Sequence, residues 1–132
     1  MIILDTHVLV WWVSNPEKLS DKAQKLIERE AKKGNEILVS SISVWEICML
    51  IKKNRLKLTM DTDTWIGKIE QITFLQFIPV DNKIAEQSVN LHGTFHNDPA
   101  DRMIIATALN YGAVLITSDR KILNYPYVRS IW

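Results

Sequence analysis

The stretch Ile2-Ile3-Leu4-Asp5-Thr6-His7 places an acidic residue directly after a run of aliphatic residues. A continuous apolar run is typical of a strand that is covered on both faces, as in a parallel sheet. The residues at 7–13 predict a helix, and Asn15-Pro16 ends it. The beginning of the chain therefore predicts a buried strand that leads into a helix, with a carboxylate at the junction.

The same alternation continues along the chain. Further strands are predicted at 37–39, 77–80 and 113–117, with an edge strand at 127–131. Helices are predicted at 21–33, 44–54, 62–74, 82–91 and 100–111. Strands that are separated by helical crossovers form a mainly parallel sheet with helices on both faces. We therefore predict an α/β fold, a three-layer α/β/α sandwich with a mainly parallel five-stranded sheet.

Length and composition are those of an ordinary globular protein. The 132 residues suit a single domain spanning 1–132, and the 47% hydrophobic content excludes a disordered chain. Cys48 is the only cysteine, which excludes an internal disulfide and cysteine-based metal sites. No apolar run approaches the ~20 residues that cross a bilayer, and no basic segment precedes the first strand. A cytoplasmic protein without membrane association is expected.

Acidic residues follow several of the predicted strands. Asp5 comes directly after the first strand, Glu46 lies shortly after the second, and Asp119 follows the strand at 113–117. A further acidic segment, Asp98-Pro99-Ala100-Asp101, begins the helix that leads into that last strand. Ligands of parallel α/β sheets bind outside the carboxyl ends of the strands. Acids from distant parts of the chain are therefore predicted to meet at one edge of the sheet.

Each of these acids also has a simpler interpretation as a helix cap. Ser43-x-x-Glu46 fits a capping box, and Asp98 before Pro99 fits an N-cap. Caps do not explain why every such position carries a carboxylate, since Ser, Thr or Asn would serve as well. Converging carboxylates repel one another, and their pKa values rise unless a cation lies among them. Hard oxygen donors of this kind indicate Mg²⁺ or Mn²⁺ and predict metal-assisted phosphodiester hydrolysis.

Asp98 and Asp101 differ in their predicted placement. Helical spacing puts Asp101 on the same face as Ile105 and Ala108, the face that packs on the sheet. Asp98 precedes Pro99 and therefore lies outside the helix proper. We prefer Asp101 as the acid nearer the metal and Asp98 as the cap.

Four segments taken together resemble a known family. They are Ile3-Leu4-Asp5-Thr6-His7 with Trp11-Trp12, the segment at 41–47 (Ser-Ile-Ser-Val-Trp-Glu-Ile), the segment at 96–102 (His-Asn-Asp-Pro-Ala-Asp-Arg) and the segment at 115–119 (Leu-Ile-Thr-Ser-Asp). In this order and spacing they resemble PIN-domain ribonucleases, and most closely the VapC-type toxins of type II toxin–antitoxin pairs. The resemblance spans the chain from Asp5 to Trp132.

The resemblance implies a function and a site. The core acids of the family match Asp5, Glu46 and Asp101, and Asp119 matches a less constant fourth; all four are then the expected catalytic and metal-binding residues. The implied activity is Mg²⁺- or Mn²⁺-dependent endonucleolytic cleavage of RNA. The implied partners are a second copy of the chain in a homodimer and a small antitoxin protein.

Other polar residues near these segments are candidates for lesser roles. The residues expected to orient substrate or to bind water beside the acids are Thr6, His96, Asp98, Thr117 and Ser118. The basic run with Lys52, Lys53, Arg55 and Lys57 has two interpretations: contacts to RNA phosphates, or favourable cations at a helix C-terminus. The tryptophans Trp11, Trp12, Trp45 and Trp65 are expected mostly in the core, with one or two at a partner surface.

Two alternatives compete with the nuclease. An acidic-pocket phosphatase of the haloacid-dehalogenase type needs a second Asp two residues after the first, where His7 stands, and the pattern of a phosphoacceptor domain is also missing. A catalytically silent PIN-fold binding module would be expected to lack a core acid, and none is missing. The RNA target and the choice between one metal ion and two stay open.

Overall fold

A parallel five-stranded sheet forms the centre of the protein, which a computed structural model describes over residues 1–132. The strands are β1 (Ile2–Leu4), β2 (Ile37–Ser40), β3 (Leu75–Ile78), β4 (Val114–Ile116) and β5 (Ser130–Ile131). Their order in the sheet is β3-β2-β1-β4-β5, and every neighbouring pair is parallel. The predicted α/β/α architecture is confirmed, with β5 as the edge strand.

Helices provide the crossovers between the strands. They are α1 (Thr6–Ser14), α2 (Asp21–Lys32), α3 (Ser41–Lys52), α4 (Thr62–Glu70), α5 (Asn82–Val89), α6 (Pro99–Tyr111) and α7 (Arg120–Leu123), with a short 3₁₀ helix at Pro16–Lys18. No helix has the length and apolar character that a membrane span requires.

The alternation of side chains along β1 divides the core into two layers. Ile2 and Leu4 belong to a cluster that includes residues of α1, α2, α3 and α4. Ile3, on the opposite face of the strand, belongs to a second cluster with residues of α5, α6 and α7. All three side chains are buried because β1 is the middle strand and helices cover both faces of the sheet.

Several local features differ from the predictions for identifiable reasons. Helix α4 ends at Glu70 rather than 74. The predicted end was too late because Ile72 and Phe74, which lie in the connecting turn, continue the apolar spacing of the helix. Helix α3 begins at Ser41, where the Oγ of Ser40 accepts a hydrogen bond from Ile42 N at 3.2 Å. The proposed capping box at Ser43 is therefore absent. Helix α7 was not predicted, since four residues are too few to display a helical period.

The tryptophans divide between core and surface. Trp65 is 2% exposed, and its Nε1 donates to the Oγ of Ser14 at 3.0 Å. Trp11 and Trp12 are half-buried. Trp45 is 52% exposed, against the expectation for a core residue, because it lies on the face of α3 turned away from the sheet. The exposed Cys48, one turn further along α3, extends this outer face.

Candidate active site

The carboxyl ends of the parallel strands open onto an acidic cavity of about 440 Å³. Asp5 directly follows β1, Asp119 follows β4, Glu46 lies in α3 after β2, and Asp101 lies in the first turn of α6. The structure thus brings together all four acids that the sequence singled out. No hydrophobic residue lines the cavity, whose walls are Asp5, His7, Glu46, His96, Asp98, Asp101, Ser118, Asp119 and Lys121.

Asp5 is the most deeply buried acid of the cavity, with 7% of its surface exposed. Its Oδ1 accepts a hydrogen bond from Thr6 N at 2.8 Å and so caps α1. Its Oδ2 accepts from the hydroxyl of Thr117 at 2.6 Å. Burial raises the pKa of Asp5, while the hydrogen bonds from Thr117 and Thr6 oppose this rise. The same carboxylate is therefore both a helix cap and a wall of the cavity.

Thr117 connects the two acids that follow β1 and β4. While its hydroxyl donates to Asp5, its Oγ1 accepts from the backbone N of Asp119 at 3.0 Å. Asp119 in turn caps α7, since its Oδ1 accepts from Lys121 N at 2.8 Å. Thr117 is fully buried, so its single hydroxyl fixes the position of both carboxylate-bearing segments. Ser118 lines the cavity, and Thr6 is buried behind it with its hydroxyl donating to Ser43 Oγ at 2.8 Å.

Asp101 has the most strongly perturbed carboxyl group of the cavity. Burial, together with the negative charges of Asp5, Asp98, Asp119 and Glu46, raises the pKa of Asp101 to about 8. Burial and the charges of Asp5 and Asp98 also raise the pKa of Glu46. These shifts are what carboxylates acquire when no cation separates them.

No Lys or Arg side chain forms an ion pair with these acids. The ion pairs in the structure are the N-terminus with Glu30 and His96 with Asp101. Arg102, which adjoins Asp101 in sequence, directs its guanidinium away from the cavity acids to the backbone carbonyls of Ser88, Val89, Phe95 and His96. The cavity therefore keeps an uncompensated concentration of negative charge.

His96 faces the acids with a buried ring nitrogen. Its Nδ1 accepts from the backbone N of Asp98 at 3.3 Å, so Nε2 carries the ring proton in the neutral form. Nε2 lies 3.1 Å from Oδ2 of Asp101, is buried, and has no aligned hydrogen-bond partner. A buried and unpartnered polar atom at the edge of an acidic cavity indicates that something else completes the site.

Two groups of side chains have ligand atoms close enough to bind one metal ion. Glu46, Asp98 and Asp101 form one group, and His96, Asp101 and Asp119 form the other, with the ligand atoms of each group within 4.8 Å of one another. Asp101 belongs to both. Asp98 also caps α6, since its Oδ1 accepts from Asp101 N at 3.0 Å. The all-carboxylate group fits Mg²⁺ or Mn²⁺, because both ions prefer oxygen ligands.

The sequence pattern missed two residues that shape this region. Lys121 lines the cavity but was overlooked, although it lies two residues after Asp119. No role was predicted for Arg102, and its hydrogen bonds to carbonyl groups have no signal in the sequence. The basic residues Lys52, Lys53, Arg55 and Lys57 are exposed and do not line the acidic cavity.

The sequence profile of the PIN domain family matches residues 2–126, and the chain belongs to this family. Ribonuclease VapC22 of Mycobacterium tuberculosis is 31% identical to the chain over 130 residues, which make up 98% of this chain and 95% of that protein.

Two solved structures have the same fold. One is VapBC2 from Rickettsia felis, bound to a DNA fragment from its promoter; its match has a TM-score of 0.71 and 21% identity and covers 100% of this chain and 99% of that chain. The other is DNA-bound VapBC from Salmonella typhimurium, with a TM-score of 0.66, 23% identity and coverage of 99% and 98%.

Proposed function

We propose that the protein is a metal-dependent endoribonuclease and the toxin of a toxin–antitoxin pair. The observation that carries the proposal is the cavity in which Asp5, Glu46, Asp101 and Asp119 converge without a neutralising Lys or Arg. Membership of the PIN domain family and the likeness to a protein named ribonuclease VapC22 support an activity on RNA.

The residues that would bind the metal are Glu46, Asp98 and Asp101, with Asp5 and Asp119 beside them. A bound Mg²⁺ or Mn²⁺ would supply a nucleophile at neutral pH and would offset the negative charge that develops on the phosphate. His96 places its Nε2 within 3.1 Å of Oδ2 of Asp101, at the edge of the group of acids. Thr117 keeps Asp5 in place, and the exposed ammonium group of Lys121 at the cavity wall attracts the phosphates of the substrate.

The proposed partners are a small antitoxin and a second copy of the chain. The structural neighbours include VapBC complexes, which supports the antitoxin. The exposed face of α3 with Trp45 offers an aromatic side chain of the type that is enriched in protein interfaces. We treat residues 1–132 as one functional domain.

The proposal is tested by incubating the purified protein with RNA in the presence of Mn²⁺ or Mg²⁺. Cleavage is expected with either ion, loss of cleavage with excess EDTA, and recovery when the metal is restored. Cleavage that continues in EDTA would contradict the metal dependence. A folded protein that cuts no RNA under any of these conditions would support the silent binding module instead.

A separate prediction concerns Thr117. Replacing Thr117 by Val preserves its shape but removes the hydrogen bond to Asp5, which is worth about 1.5–3 kcal/mol for a charged acceptor. We expect kcat to fall about tenfold or more. Because the pKa of Asp5 rises further without this donor, the acidic limb of the pH–rate profile is expected to move to higher pH.

The matched control for this variant is Thr107→Val. Thr107 is also fully buried, but its hydroxyl donates to Met103 O within α6 and reaches no acid of the cavity. This variant should retain the pH–rate profile of the unmodified protein. If both variants lose activity equally with unchanged profiles, Thr117 has no specific effect on Asp5.

A further inference from the structure

A second groove adjoins the acidic cavity and has a different chemistry. Its volume is about 280 Å³, and His96 and Lys121 line both spaces. The other residues that line the groove are Thr94, Phe95, Asn124, Tyr125 and Pro126, and none of them is a carboxylate. A groove with an aromatic wall and no acid therefore adjoins the cavity in which the scissile phosphate is proposed to bind.

The aromatic side of the groove is built from rings in mutual contact. The Phe95 ring lies 4.2 Å from the His96 ring and 5.1 Å from the Tyr125 ring, centroid to centroid. The guanidinium of Arg102 holds this wall in place, because its Nη1 donates to the backbone carbonyls of Phe95 and His96 at 3.0 and 3.2 Å. A wall that is fixed before binding costs little conformational entropy when a ligand arrives.

Polar groups are available around the aromatic wall. Thr94 and Asn124 line the groove with exposed side chains, which can reach the hydrogen-bonding edge of a planar ligand. Lys121, at the boundary with the cavity, is exposed and forms no ion pair. This combination of a free cation, an aromatic surface and polar edges is how proteins bind single-stranded nucleic acids.

We propose that this groove binds the base of a nucleotide that flanks the scissile phosphate of single-stranded RNA, with Lys121 on the adjoining phosphate. The inference rests on the proposed nuclease function and adds a determinant of substrate specificity to it. The occupant is a nucleotide because the groove shares two walls with the phosphate-binding cavity and places a cation at the junction. The volume lies just below the ~300 Å³ at which pockets for whole drug-sized ligands begin, which suits one base.

The test combines a groove-filling variant with a modified substrate. Asn124→Trp fills the groove from an exposed position at the end of α7, and Asn82→Trp, at an exposed position that lines neither space, is the control. The substrates are an RNA oligonucleotide with a mapped cleavage site and copies with an abasic ribose on either side of it.

The abasic substitution at one flanking position is expected to lower kcat/KM about tenfold for the unmodified protein and for Asn82→Trp. Asn124→Trp should cut the intact RNA about tenfold more slowly, without a further loss on the abasic RNA. Equal penalties for the abasic RNA in all three proteins, or no penalty at either position, would overturn the proposal.

A binding measurement separates this inference from the nuclease function. A dinucleotide with a non-hydrolysable methylenephosphonate linkage, added to isotope-labelled protein with Mg²⁺, is expected to shift the NMR signals of Asn124 and Phe95 whether or not the protein cuts RNA. Shifts confined to residues of the acidic cavity would overturn the base-binding groove and leave the nuclease proposal intact.

Discussion

Replacing Asp101 by Asn is expected to lower RNA cleavage by about a thousandfold or more. Asp101 is the acid shared by both groups of metal-binding side chains, so an amide at this position weakens either one. Several kcal/mol of transition-state stabilisation from the metal are then lost, and each 1.36 kcal/mol is about tenfold in rate. The measurement is kcat/KM on an RNA oligonucleotide at saturating Mn²⁺. Asp5→Asn should lower kcat/KM by a similar factor, because Asp5 faces the same cavity.

The control for this experiment is Asp63→Asn. Asp63 is an exposed acid in the first turn of α4 and lies outside the cavity, so this variant should keep full activity. Folding is followed by thermal unfolding without metal, in which Asp101→Asn should be at least as stable as the unmodified protein, since it relieves repulsion among buried carboxylates. Undiminished cleavage by both Asp5→Asn and Asp101→Asn would refute the proposed mechanism.

Adding Mn²⁺ or Mg²⁺ is expected to raise Tm by about 10 °C when the ion is present at a hundredfold excess over its Kd. Binding to the folded state alone stabilises by about 2.7 kcal/mol at this concentration, and each kcal/mol corresponds to several degrees in a chain of this size. The stabilisation arises because the ion relieves the repulsion among Glu46, Asp98 and Asp101. Asp101→Asn should show only a small part of this shift, and Asp63→Asn should show all of it. An equal shift in all three proteins would locate ion binding elsewhere.

The pH dependence of stability has a defined sign. The pKa of Asp101 is about 8 in the folded protein and 3.8 for an aspartate without interactions. Asp101 therefore keeps its proton to a higher pH in the folded state than in the unfolded state. Without metal, the contribution of Asp101 to stability is complete below about pH 4 and is lost as the pH rises to about 8. Metal competes with this proton, so the rise in Tm should be larger at pH 8.5 than at pH 6. A metal-induced shift that is independent of pH would contradict the assignment of Asp101 as a ligand.

The sequence was sufficient to predict the parallel sheet and to identify the acids that follow its strands. Buried parallel strands such as Ile2–Leu4 are continuous apolar runs, and parallel topology brings their carboxyl ends to one edge. The start of β3 was predicted two residues late, at Phe77 instead of Leu75, because its exposed Gln76 interrupts the apolar run. Elements with a strong local sequence pattern can therefore be predicted from the sequence, while elements that are defined by one or two tertiary contacts cannot.

The candidate site was less completely predictable than the fold. Asp98 was interpreted as a helix cap, which the structure confirms. The structure also places a carboxylate oxygen of Asp98 within 4.8 Å of those of Glu46 and Asp101. The groove beside the cavity depends on how the chain around Phe95 packs against Tyr125, residues that are far apart in sequence. Arg102 illustrates the same limit, since it lies beside Asp101 in sequence but donates its hydrogen bonds to backbone carbonyls. Such pairings are consequences of tertiary packing.

The hydrogen bond between Thr117 and Asp5 joins residues that are 112 positions apart in the chain. The strand β1 is synthesised before its neighbour β4, and β2, β3 and most of the helices lie between them in sequence. Closing so long a loop has an entropic cost, which is lower once the intervening strands and helices are ordered. The two halves of the acidic cavity therefore meet only after β4 has been synthesised, so a growing polypeptide that has not reached β4 has no assembled acidic centre.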